Sequence, residues 1–139
     1  MSDYQRPKHL NLLAVVAHPH DFTHMAGTCA HHIEDGDTVT AVSITGGNKV
    51  HNERLYDELK KPPGERDMSI VTQSTEAYAD EKAEQFHRMC ELFGITDARI
   101  LPFADVPLRG SDEMYETLTE IVLETRPHIV LTCGPIGNS

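Results

Sequence analysis

Two histidines and an aspartate share one short turn, His18-Pro19-His20-Asp21. Imidazole nitrogen and carboxylate oxygen are borderline and hard donors that together suit Zn²⁺ or a similar divalent ion. His18 and Asp21 stand three apart, and in a tight turn their side chains can converge on one point. A catalytic zinc takes three protein ligands and keeps a position open for water, so this pair needs a third donor from elsewhere. The same residues also have a plainer reading. Asp21 is well placed as an ordinary helix N-cap and His18 as a satisfied histidine at a strand end, and on the turn alone that is the more economical account. The chain has nine histidines, of which His18, His20, His24, His31 and His32 fall close together. His24 faces site or solvent depending on one turn of helix. His31 and His32 suit the negative end of a helix dipole and water.

The elements around the turn decide whether it can be a site. Residues 10–17 form a nearly continuous apolar run ending at His-Pro, the pattern of a central parallel strand covered on both faces. Pro19 stops the strand ladder. Residues 22–34 carry apolar or small positions at helical spacing and stop at Asp35-Gly36-Asp37. A β-branched second strand over 38–45 runs into Gly46-Gly47-Asn48. Residues 49–69 are polar, contain Pro62-Pro63-Gly64, and read as a long, weakly structured loop, a kind that is usually functional or mobile.

A helix over 75–93 follows, with Ala79, Ala83, Phe86, Met89, Cys90 and Phe93 on its inner side and Gly94 as its stop. A short strand over 98–101 is closed by Pro102, a helix spans 112–125, and a fourth strand spans 127–133. This order predicts one α/β domain over residues 1–139, a doubly wound, Rossmann-like, mostly parallel sheet with helices on both faces. In the commonest strand order, 3-2-1-4, the reversal lies between the first and fourth strands. It places His18 to Asp21 opposite Gly134 to Ser139, at the carboxyl ends where ligands collect.

Composition narrows the partners. The net charge is −10, with 12 lysines and arginines scattered along the chain, so a nucleic-acid backbone would be repelled. The apolar run at residues 10–17 is too short for a membrane span or signal core. Cys29, Cys90 and Cys133 are odd in number and embedded in apolar surroundings, which predicts reduced, buried thiols in a cytoplasmic protein. No G-x-G-x-x-G or phosphate-binding loop follows either early strand, which leaves a nucleotide-binding domain weakly supported.

Ala17-His18-Pro19-His20-Asp21, then Met25-Ala26-Gly27-Thr28 and a strand ending in Thr45-Gly46-Gly47, resembles the LmbE/PIG-L family of zinc-dependent N-deacetylases. The resemblance is specific over about residues 11–47 and extends along the chain in element order. It implies that His18 and Asp21 bind Zn²⁺ or another divalent metal. The family's third ligand lies in a motif shortly after the fourth strand, where this chain stops at Ile136-Gly137-Asn138-Ser139. The resemblance thus implies the N-terminal part of a longer deacetylase-like domain, with the third ligand beyond Ser139.

The family's general base is an Asp at the position of His20, and a histidine can also accept a proton near neutrality. Phe22 replaces the motif's Glu. The family's R-x-x-E falls at Lys82 and Gln85, which makes Lys82 a substrate-binding candidate; an exposed helix lysine is the plainer reading there. The implied reaction removes an acetyl group from a small-molecule N-acetylated amino sugar or conjugate, with the loop from Gly46 to Ser69 shaping the pocket. The second reading is a catalytically impaired module that keeps the fold and binds a ligand or partner. Association into a homo-oligomer, or with the missing C-terminal part, is compatible with either.

Overall fold

The computed structural model describes residues 7–134. Its core is a four-stranded, wholly parallel sheet in the order β3-β2-β1-β4. The strands are β1 (Asn11–Val16), β2 (Thr38–Thr45), β3 (Asp97–Phe103) and β4 (Ile129–Thr132). The expected doubly wound α/β class and strand order are both present. Helix α1 (Ala26–Glu34) carries the chain from β1 to β2, and α4 (Thr75–Leu92) carries it from β2 to β3. Both connections move the same way across the sheet. The return from β3 to β4 through α5 (Asp112–Thr125) reverses direction, and the right-handed crossover rule then sends α5 to the opposite face.

Strand alternation explains the two-sided core. Leu12, Ala14, Val16, Val39 and Ala41 point to one face, where they pack with Cys29 of α1 and with Phe86 and Cys90 of α4. Leu13 and Val42 point the other way, onto Ile121 of α5. Gly94 closes α4 in the left-handed region (φ +77°), with Ile95 N–H donating to Cys90 O at 2.9 Å. No helix among the described residues is long and apolar enough to cross a membrane.

Five expectations need correction. The helix foreseen over 22–34 is broken at Met25: a 3₁₀ turn over Pro19–His24 precedes α1, because Pro19 starts the turn early and Phe22 is drawn fully into the core. The stretch 49–69 is not a loop throughout; it holds α2 (Glu53–Lys60), a 3₁₀ turn over Pro63–Glu65 and α3 (Met68–Val71). The buried Glu58 ties these pieces together, accepting from Lys61 Nζ at 2.7 Å and from Asp67 N–H at 2.9 Å. Pro102 lies inside β3 instead of closing it, which an outer strand tolerates since one side of its ladder is unpaired.

The inner stripe of α4 runs through Tyr78, Lys82, Phe86 and Cys90, one residue round from the predicted Ala79 and Ala83. Lys82 is therefore buried (9% exposed), not an outward-facing helix lysine. Finally, Cys133 is exposed, whereas Cys29 and Cys90 are buried free thiols as expected. Burial raises both of those thiols, Cys90 to about 11. Residues 135–139, expected to face His18, lie outside the described residues.

Candidate metal centre

Chain geometry at the carboxyl end of β1 brings the turn residues together. His18 is extended (φ −133°, ψ 156°) and precedes the 3₁₀ turn. The backbone N–H of Asp21 donates to His18 O at 3.1 Å, and Asp21 Oδ2 accepts from His18 N–H at 3.0 Å. Asp21 thus caps its own turn from the inside; it is not the N-cap of α1, which is Met25. The carboxylate is shared between the two rings. His18 Nδ1 lies 3.2 Å from Asp21 Oδ2, and His20 Nε2 lies 3.0 Å from Asp21 Oδ1.

The two imidazoles stack at 5.6 Å with an interplanar angle of 11°. One donor atom from each of His18, His20 and Asp21 falls within 4.8 Å of the others. His18 Nε2 and His20 Nδ1 are buried and have no hydrogen-bond partner. A buried polar atom left unpaired costs about 1–3 kcal/mol, so two in one turn need a reason. Burial is the largest influence on His20 and holds its imidazolium below the usual histidine range. His51, Lys82 and His18 push the same way, and Asp21 opposes them.

The turn is anchored from beneath by Phe22, which is fully buried and meets Phe86 of α4 edge-on at 5.8 Å and 83°. It is tied laterally to the end of β2. Ala17 O accepts from Thr45 N–H at 3.1 Å and from Thr45 Oγ1 at 2.9 Å, and Thr45 Oγ1 accepts from Gly47 N–H at 3.2 Å. Gly47 adopts φ +65° against Pro19 and His18, a conformation and a closeness that suit glycine.

Beyond Gly47 the chain passes over the site and delivers a residue that sequence reasoning missed. His51 sits with its ring centre 4.2 Å from that of His20 and 6.4 Å from that of His18. It belongs to no periodic pattern, and only its place shortly after Gly46-Gly47 pointed to it.

Lys82 underlies this segment. Its Nζ donates to Val50 O at 2.9 Å and lies 4.8 Å from the centre of the Tyr78 ring, while Tyr78 Oη donates to His51 O at 2.7 Å. Burial lowers the Lys82 ammonium from its ordinary value, against the pull of Glu53, Asp105 and Asp21. Gln85 and His24 are exposed. His31 is exposed as expected, but His32 is not left to water: its Nδ1 lies 2.7 Å from the buried Asp37 carboxylate, far from the turn in the strand direction.

Two hollows lie near the carboxyl ends of the strands, and only the smaller one is lined by the turn. A cleft of about 420 Å³ opens between Asn48, Ala79, Ala83, Phe103 and Asp105, at the carboxyl ends of β2 and β3. A smaller hollow of about 160 Å³ lies between His20, Thr23, Lys82, Phe86 and Met89.

The solved structures that resemble this chain include the 4-carboxy-2-hydroxymuconate hydratase GalB of Pseudomonas putida (TM-score 0.72, 20% identity), covering 87% of this chain and 45% of that one. The N,N'-diacetylchitobiose deacetylase of Pyrococcus horikoshii gives a TM-score of 0.69 at 22% identity, over 86% of this chain and 39% of that one. A deacetylase of the teicoplanin biosynthetic pathway gives 0.67 at 18% identity, over 91% and 52%. At such identities these matches establish a common fold. The chain spans roughly half or less of each of those structures. No curated protein matches it. The family model PIG-L, GlcNAc-PI de-N-acetylase, matches residues 13–139, nearly the whole length, and the chain therefore belongs to the PIG-L family.

Proposed function

We propose that this protein takes part in N-deacetylation, hydrolysing the amide of a small N-acetylated amino sugar or conjugate to the free amine and acetate, at the turn His18 to Asp21. The observation that carries this reading is the convergence of His18, His20 and Asp21 donors within 4.8 Å at the carboxyl end of β1, in a PIG-L chain. The site fits a divalent cation. It offers imidazole and carboxylate donors, and the partnerless buried Nε2 of His18 is an atom a cation would satisfy. In this reading His18 and Asp21 hold Zn²⁺ or a similar ion. Such an ion lowers the pKa of a bound water and polarises a carbonyl.

The remaining work belongs to the chain. His20, stacked beside His18 with its Nε2 3.0 Å from Asp21 Oδ1, is the imidazole that takes a proton from water and returns it to the leaving amine. Asp21 orients both rings through its two oxygens. The hollow lined by His20, Thr23, Lys82, Phe86 and Met89 is the one that opens beside the reacting turn to a substrate. Lys82, holding Val50 O, supports residues 46–52 and places a cation near the anionic Asp21. The buried free thiols Cys29 and Cys90 accord with work in the reducing cytoplasm.

A second reading has its own observation. The Nε2 or Nδ1 of His20 lies close enough to join His18 and Asp21 as a donor, which would leave no base in the turn and make the chain a binding module. Amine release from a panel of N-acetylhexosamine conjugates, run beside metal analysis of wild type, His18→Ala, Asp21→Asn and His20→Ala, separates the two. Deacetylation with bound metal in wild type, lost in His20→Ala while the metal stays, supports catalysis. Equal metal content in all four proteins would remove the site.

A further inference from the structure

An imidazole moves a proton efficiently only when its ring points at the group it serves, so whatever fixes the direction of His20 bears on the reaction. We propose that His51 is a positioning residue, whose ring, carried on a clamped strap, holds the His20 imidazole in its working direction. This inference rests on the reading above in which His20 is the base.

Contacts within the turn leave the His20 ring one freedom. Its Nε2 lies 3.0 Å from Asp21 Oδ1, which tethers one edge, and the His18 ring stacks beside it at 5.6 Å and 11°. A ring held at one edge and along one face can still swing about its own side-chain bond, whose torsional well is broad. His51 closes that movement. Its ring centre lies 4.2 Å from that of His20, tilted at 56°, and 6.4 Å from that of His18. The three centres form a triangle, so His18 and His51 meet His20 from two different directions.

The strap is built to keep His51 there. His51 holds φ +54°, in the left-handed region that a residue with a β-carbon enters at a cost. Such a conformation persists where the surroundings impose it. Tyr78 Oη donates to the His51 carbonyl at 2.7 Å, and the Lys82 ammonium donates to the Val50 carbonyl at 2.9 Å. Both donors come from the buried stripe of α4, the helix whose Phe86 also meets Phe22 beneath the turn. One helix thus fixes both the turn and the strap that passes over it. The His51 ring itself remains about half exposed (55%), so core packing does not account for its placement.

The test reads the His20 ring directly. On the full chain as purified, NMR records the contact between His18 and His20 ring protons and the ¹³C relaxation of the His20 ring, assigned by its loss in His20→Ala. Wild type is compared with His51→Asn, His51→Gly, His51→Phe and Tyr78→Phe. Asparagine and glycine accept the left-handed backbone and remove the ring without forcing the strap to move, while phenylalanine keeps a ring without the imidazole nitrogens. The asparagine and glycine variants are expected to weaken the His18–His20 contact and to free the His20 ring. His51→Phe keeps both as in wild type, and Tyr78→Phe, which releases the strap, falls between. In deacetylation the same two variants lower kcat about 10–100-fold with KM and Zn²⁺ content unchanged, and His51→Phe recovers most of the loss. An unaltered contact and relaxation in both His51→Asn and His51→Gly would overturn the positioning role and leave the proposed function standing. A wild-type protein that hydrolyses no N-acetylhexosamine conjugate would overturn the proposed function, and the ring signals then decide by themselves whether His51 holds His20.

Discussion

Truncating Phe22 to alanine tests how the turn His18 to Asp21 is held, and its magnitude follows from the packing. Phe22 is wholly buried and meets Phe86 edge-on at 5.8 Å. Burying such a side chain is worth about 1.5–3 kcal/mol in transfer alone. The cavity left in a core that relaxes only partly raises the total loss to about 3–5 kcal/mol. For a chain of this size that corresponds to a fall in Tm of roughly 10–20 °C.

Within that loss, the aromatic pair accounts for about 0.5–1.5 kcal/mol, read as the coupling in a cycle of Phe22→Ala, Phe86→Ala and the double variant. Urea unfolding followed by far-UV circular dichroism gives the free energies. The same proteins, under conditions where each is folded, are titrated with Zn²⁺. Because Phe22 directly follows Asp21, its loss should weaken Zn²⁺ binding as well as stability, whereas Phe22→Leu should cost less in both. A cost below about 1 kcal/mol for Phe22→Ala, or no coupling to Phe86, would refute the view that this ring anchors the turn.

Other substitutions probe the frame around it. Gly47→Ala places a β-carbon 3.3 Å from Pro19 Cδ at φ +65°, and should lower stability by about 1–2 kcal/mol while loosening metal binding through His18, checked by thermal unfolding and Zn²⁺ titration. Ser74→Ala removes the cap accepting from Ala77 N–H, for a loss of about 1 kcal/mol in urea with metal affinity unchanged. Asp97 is held below the usual carboxylate range, chiefly by hydrogen bonds from Arg99. Its folded form therefore binds fewer protons than the unfolded chain, so its contribution is full above the ordinary aspartate value and disappears as pH falls through the lowered one. The pair is partly exposed, so Asp97→Asn should cost no more than about 1 kcal/mol at pH 7 and flatten the acid limb below about pH 4.

Legibility in the sequence followed the strength of each local signal. The β-branched run 38–45 and the amphipathic 112–125 were read to the residue, since strand alternation and helix caps both mark their ends. The order of elements sufficed for the 3-2-1-4 sheet. Periodicity failed where small residues blur a helix face: Ala79 and Ala83 look as inward as Tyr78 and Lys82, and only packing against the strand ends chose the latter. It also failed over Glu53–Lys60, a polar helix whose one buried residue is a glutamate satisfied by Lys61 and Asp67. The motif turn pointed to His18, His20 and Asp21, whose donors the fold gathers. His51 arrives from another strand's exit through contacts 27 residues away in Tyr78, and no window along the chain contains that information.

The clasp between Thr45 and Ala17 sets a rule for anyone re-engineering this protein. Strand pairing and a hydroxyl join the two exits, so the stretches leading to His18 and to His51 are measured from a common origin. Inserting or deleting one residue between Thr45 and His51 would slide the second imidazole along its path by more than 3 Å, too far for a side chain to recover. Point changes on the outer rim leave this spacing intact, while any change in the length of the span would part the His51 ring from that of His20.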